Sequence, residues 1–238
     1  MQEELTKHSR KIFQEMKNRE HGMWEKVREI VIEILIIVFA VSLSIWLHNW
    51  SDHRVEQRQT DEFLAGIRVD LSKDITSLEE NRQTFLEEDS LFTYLMLITS
   101  TGAVDTVSEH RINANFNYQM RSTHANIARY EGFKSNGKIG TIENDSLKQA
   151  ILAYYQQTIP AVNDIEDIVN KLQDRLMDAQ FTKDEKMSIR AFAKSFKARA
   201  YVEITVENLG PAIQTYADAE AKAKDIIHKI DSYLKAQE

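Results

Sequence analysis

The chain has 238 residues and a formal net charge of −7, from 37 acidic and 30 basic side chains. An acidic balance argues against nucleic acid, whose phosphates need a basic face, and the absence of cysteine excludes disulfide scaffolds and thiolate metal sites. Seven glycines and two prolines, set among many Glu, Lys, Gln, Ala and Leu residues, favour long helices.

Residues 1–28 read as a cytoplasmic tail or an interfacial helix, with Ile12, Phe13, Met16, Met23 and Trp24 spaced among charges. Residues 29–50 read as a transmembrane helix. From Ile34 to Leu47 no residue is charged, and the hydroxyls of Ser42 and Ser44 can return to carbonyls one turn back. Trp24 and Trp50 would lie ~39 Å apart on one helix, close to the separation of the two bilayer interfaces, with Trp46 as a further interfacial anchor. The polar stretch before the apolar run and the lack of a small-residue cleavage site suit a signal anchor that stays in the lipid bilayer. Seven basic residues precede the span, from Lys7 to Arg28, against only Arg54, Arg58 and Arg68 in the comparable stretch after it. That bias places the N-terminus in the cytoplasm and residues 51–238 outside as an exported helical domain.

Within that domain, Leu64, Leu71, Leu78, Phe85 and Phe92 recur at sevens, joined by Ile67 and Leu95, so one face of a long helix is apolar. The intervening Asp74, Asn81 and Glu88 are polar, which favours packing inside a helical bundle over a free coiled coil. Gly102 marks a turn, and a helix is expected over His110 to Ile127. Three glycines between Tyr130 and Gly140 suggest a compact loop. Asn144-Asp145-Ser146 should cap a helix that continues past Pro160 with a kink. Thr182 and Glu185 form a capping-box pattern for a helix running to about Asn208, where Gly210-Pro211 should end it and start the last one. The fold class is all-α: one membrane helix continuing into a long helix and an exported bundle.

Single residues carry the functional candidates. Glu33 sits about one turn inside the apolar region, where it either serves a proton- or ion-linked assembly or reaches the interface or a partner helix. Ala40 and Ser44 form a small-xxx-small pair suited to close helix packing. Tyr130, Ser135, Gly137, Tyr154 and Tyr155 outline a candidate ligand or partner loop. His48 and His53 point to different sides of a helix, and Asp225-Ile226-Ile227-His228 lacks the second copy that a di-iron bundle needs, so no metal is assigned. No catalytic motif and no cofactor-binding loop is present in the sequence, and no enzyme activity is expected.

Two stretches resemble a bacterial domain-of-unknown-function family of single-span membrane proteins. The first is Glu33-Ile34 leading an aliphatic span that closes in Asn49-Trp50-Ser51-Asp52-His53-Arg54. The second combines Tyr130, Ser135-Asn136-Gly137, Asn144-Asp145-Ser146-Leu147 and Tyr154-Tyr155. Ala40 replaces a glycine common in the family's span, His48 replaces an asparagine, and residues 160–238 carry no matching motif. The resemblance implies a single-pass inner-membrane protein with its C-terminal domain in the periplasm, and no activity. The function expected is an interaction or structural protein, a subunit of a homo-oligomer or of a membrane-protein assembly. A periplasmic sensory or ligand-binding module and a channel built on Glu33 are the alternatives.

Overall fold

The computed structural model describes residues 2–101, 121–184, 186, 187, 191, 192 and 194–236, with side chains of the first helix given at Trp24 and from Val27 to Leu97. The described residues are almost all helical and include no strand, so the chain is all-α. Two compact units divide at Gln57 and Arg58, and helix α1, Gln2–Thr101, contributes to both.

In the first unit α1 carries an 18-residue window apolar enough to cross a membrane, none of it buried. Ile34, Leu35, Ile36 and Phe39 are each more than half exposed, an arrangement that water penalises and hydrocarbon does not. The Trp46 and Trp50 rings stack 6.5 Å apart, and the Arg54 guanidinium lies 4.2 Å above Trp50.

In the second unit the heptad stripe of α1 is the spine of the core. Leu64, Leu71, Leu78 and Phe85 are fully buried and Phe92 nearly so. After α1 come α2, Ala128–Ser135, a 3-10 turn at Lys138–Thr141, and α3, Asp145–Ala153. A π turn at Tyr154–Thr158 leads into α4, Ile159–Phe181, and α5, Phe196–Lys235, packs along α4. One part of the core joins α1 to α2, α3 and the end of α5 through Leu64, Leu71, Tyr130, Ile151 and Ile226. The other joins α1, α4 and α5 through Phe85, Phe92, Val169, Leu176, Leu209 and Tyr216.

Asn144 caps α3 as expected, its Oδ1 accepting the Leu147 amide at 3.0 Å. Four expectations need correction. Residues 121–127 are not helical: the amides of Arg121, Thr123 and Asn126 bond to side chains of α1 and α4, and the Ile127 amide turns back to the Ala125 carbonyl at 2.9 Å; the rest of that expected helix and the Gly102 turn lie outside the described residues. The loop after Tyr130 is shorter than the glycines suggest: Gly132 sits inside α2, and only Gly137, at φ 71°, uses the left-handed conformation open to glycine. Thr182 ends α4 rather than opening a helix, since its hydroxyl donates back to the Asp178 carbonyl at 2.9 Å. Ser195 is the true N-cap of α5, accepting the Ala198 amide at 3.3 Å, and Glu185 lies outside the described residues.

Fourth, Gly210-Pro211 does not divide α5. Gly210 has no Cβ to clash with the proline ring, and the fully buried Leu209 and Ala212 on either side hold the helix through it. At Pro160 the chain also stays helical. The π turn just before it widens the backbone where the proline removes a donor and its ring would press on the preceding turn.

Candidate functional site

The polar interruptions in the α1 heptads are docking points. Asp74 Oδ1 accepts both the backbone amide of Asn126 at 3.0 Å and its side-chain amide at 2.6 Å. Asn81 Nδ2 donates to Thr123 Oγ1 at 2.9 Å, and Glu88 Oε1 receives Arg121 Nη1 at 2.6 Å. Three positions seven apart on α1 therefore hold an extended strap, residues 121–127, running antiparallel to them.

Helix α4 clamps the strap from the other side with Glu166 and Asn170. Asn170 holds both backbone polar groups of one residue, accepting the Arg121 amide at 3.0 Å and donating to the Arg121 carbonyl at 2.6 Å. Glu166 accepts the Thr123 amide through both oxygens, at 2.9 and 3.0 Å, and Oε1 also accepts the hydroxyls of Thr123 and Tyr216. Gln173 Nε2 donates to Glu88 Oε2 at 2.8 Å, tying the two helices beneath the strap. The amides of Arg121, Thr123 and Asn126 and the Arg121 carbonyl thus have side-chain partners in place of helical ones, and Arg121 and Thr123, the two buried residues of the strap, are among them.

A recess of about 430 Å³ opens beside the strap, floored by Glu166 and Asn170 and rimmed by Ser122, His124, Asn163 and Asp167. Its floor is already occupied in bonding: the Glu166 carboxylate is engaged by three donor groups. The arrangement holds peptide backbone. Sequence reading missed this site, although the spacing of Asp74, Asn81 and Glu88 was a visible signal for half of it.

Burial pushes the Asp74 carboxyl above its usual range against the bonds from Asn126, and pushes Glu88 up against the Arg121 charge. An acid whose folded pKa exceeds its unfolded one keeps its proton in the folded state over a window where the unfolded chain has lost it. Stability therefore falls as pH rises through that window, and the full penalty stands above it. The domain should accordingly melt higher at mildly acidic than at neutral pH. Asp74→Asn, which keeps the acceptor for Asn126, should raise stability at neutral pH and flatten the profile; thermal melts of the two proteins across pH check this.

The five residues of the candidate loop separate into two groups. Tyr130, Tyr154 and Tyr155 are buried together: Tyr130 and Tyr155 stack at 4.4 Å, Tyr154 meets Tyr155 edge-on at 5.1 Å, and Gln156 donates to the Tyr130 hydroxyl at 2.8 Å. Ser135 and Gly137 lie on the surface, with the Ser135 hydroxyl turned back to the Gly132 carbonyl. Burial raises the Tyr154 and Tyr155 hydroxyl pKa values, and the nearby Asp74 charge adds to both shifts. Neither hydroxyl, nor Asp74 Oδ2, has a hydrogen-bond partner among the described residues. Gly66 serves this end of the core from α1: its missing Cβ leaves the space that the Arg129 guanidinium takes on its way to Asp70 at 2.8 Å.

On the span, Glu33, Ala40 and Ser44 fall within about 40° of one another around the helix. Trp46 and Trp50 lie on other faces, and Trp24 is 77% exposed. Glu33 is exposed and has no ion-pair or hydrogen-bond partner among the described residues. His48 Nε2 lies 3.3 Å from Asp52 Oδ2, and no group of three or more His, Asp or Glu side chains among the described residues converges as metal ligands do. No protein-family model, no curated protein and no solved structure matches this chain.

Proposed function

We propose that the chain is a single-pass membrane-anchored interaction protein whose span assembles with another span, in the first instance that of a second copy. The observation that carries this reading is the face shared by Glu33, Ala40 and Ser44 on a helix with no cover of its own. An ionised carboxylate in hydrocarbon costs a few kcal/mol unless it is paired or reaches the interface, and small residues four apart let a second backbone come close. The excess of Lys and Arg before the span supports a cytoplasmic N-terminus and an exported helical domain. The resemblance in the span and in the Tyr130 to Tyr155 region supports a bacterial inner membrane.

Subunit counting in lipid nanodiscs tests the proposal. The wild-type chain should be oligomeric, and Ala40→Leu should weaken self-association about tenfold by holding the backbones apart. Glu33→Gln keeps a hydrogen-bonding group and should hold the oligomer. A wild-type chain that counts strictly as a monomer, and that captures no other membrane protein on purification from its own membrane, refutes this reading.

A further inference from the structure

The chain is acidic as a whole, yet the connection between α4 and α5 has the opposite sign. From Lys183 to Arg199 there are six basic side chains and two acidic ones. Lys186, Lys194 and Lys197 are exposed and have no ion-pair partner among the described residues.

Two phenylalanines flank the same connection. Phe181, the last residue of α4, is 80% exposed, and Phe196, the first of α5, is 90% exposed. These are the most exposed phenylalanines of the second unit among the described residues, and together they leave two large apolar side chains in water beside the basic groups. The connection is anchored beneath them: Phe192 is buried in the core with Phe92, Leu95 and Ala198, Met187 packs against that cluster, and the Lys183 ammonium lies 5.9 Å from the Phe192 ring. This end of the domain is remote from Arg58, where the chain enters it. The core residues Phe92 and Leu95 lie about 50 Å further along α1 from that point.

We propose that this end of the domain docks on an anionic lipid surface, with Phe181 and Phe196 entering the headgroup and acyl boundary and the surrounding lysines facing lipid phosphates. The charge is complementary, and the pairing of exposed aromatic rings with basic side chains is the composition that interfacial binding uses. Lysine dominates among the exposed basic groups. It is depleted at protein–protein interfaces and works as a point charge on diffuse anionic surfaces, so a lipid surface fits better than an acidic protein. The proposal is independent of how the span associates.

The test immobilises the full chain in phosphatidylcholine nanodiscs and measures capture of fluorescent vesicles of phosphatidylcholine with or without phosphatidylglycerol. Capture should require phosphatidylglycerol and fall with added salt. It should drop about tenfold or more for each phenylalanine changed, in Phe181→Ser and Phe196→Ser. For the lysines, Lys186→Gln, Lys194→Gln and Lys197→Gln, the drop should be about fivefold each. All five positions are exposed, and an unchanged helical signal and proteolytic pattern establishes that each variant is folded. Equal capture of both vesicle types overturns the proposal, as does full capture by the double phenylalanine variant. Polyglutamate binding that depends on the lysines, with no capture of phosphatidylglycerol vesicles, overturns it in favour of an acidic protein partner.

Discussion

Replacing Arg121 by alanine should destabilise the helical domain by about 3–5 kcal/mol. The Arg121 and Glu88 side chains are only 8% and 13% exposed, and their contact is 2.6 Å. The guanidinium also lies 5.2 Å from the Phe85 ring centroid, which itself is fully buried. Removing the cation leaves Glu88 charged in a place whose burial already opposes its ionisation, with only the Gln173 amide for company. Glu88→Gln should cost a similar amount from the other side, because a guanidinium is then stranded. Changing both, Arg121→Met with Glu88→Leu, should recover most of the loss, since a buried pair replaced by apolar groups of like volume is often neutral. Pulse proteolysis of the full chain in detergent, across a urea series, measures all four proteins. A loss below about 1 kcal/mol in both single variants would mean that the pair behaves as an exposed salt bridge does, against the burial seen here.

The part of this site that was legible in the sequence is the part governed by short-range periodicity. Seven-residue spacing is a property of one helix, so Leu64 to Phe92 announced a buried stripe, and Asp74, Asn81 and Glu88 stood out as exceptions on its flank. What they bind was not legible. Arg121 lies 33 residues from Glu88 and Asn126 lies 52 from Asp74, and nothing local in Arg121-Ser122-Thr123-His124-Ala125-Asn126 marks it as extended. Its conformation is dictated by acceptors on α1 and α4, so tertiary bonding overrode a weak helical propensity. The same holds in reverse at Pro211. A local rule said that the helix should stop, and burial of Leu209 and Ala212 against the core keeps it going.

In the register of α1 that faces the strap, the buried Ile67 and Leu95 stand at the two ends. Between them α1 offers Asp74, Asn81 and Glu88, and α4 offers Glu166 and Gln173, also seven apart. An apolar residue at Asp74, Asn81, Glu88 or Glu166 would remove a partner from the strap, and an unclamped strap would leave the buried Thr123 amide without its acceptor.

Glu166→Ala is where that dependence should be largest on the α4 side. One carboxylate, 4% exposed, receives the Thr123 amide and the hydroxyls of Thr123 and Tyr216. Its loss leaves three buried donors to find new acceptors, at about 1–3 kcal/mol for each one left unpaired, although Thr123 Oγ1 and the Tyr216 hydroxyl can still bond to each other at 3.0 Å. The expected cost is therefore about 3–5 kcal/mol, with Glu166→Gln costing less because one acceptor oxygen survives. Tyr216→Phe removes a single donor and should cost least of the three. Hydrogen exchange separates loss of the strap from general weakening: in Glu166→Ala the Thr123 amide should exchange at a rate set by local opening, while amides of α4 and α5 near Val169 and Leu209 still report the global stability. Should the Thr123 amide remain as protected as those core amides, the strap is held by α1 alone, and the clamp assigned to α4 is wrong.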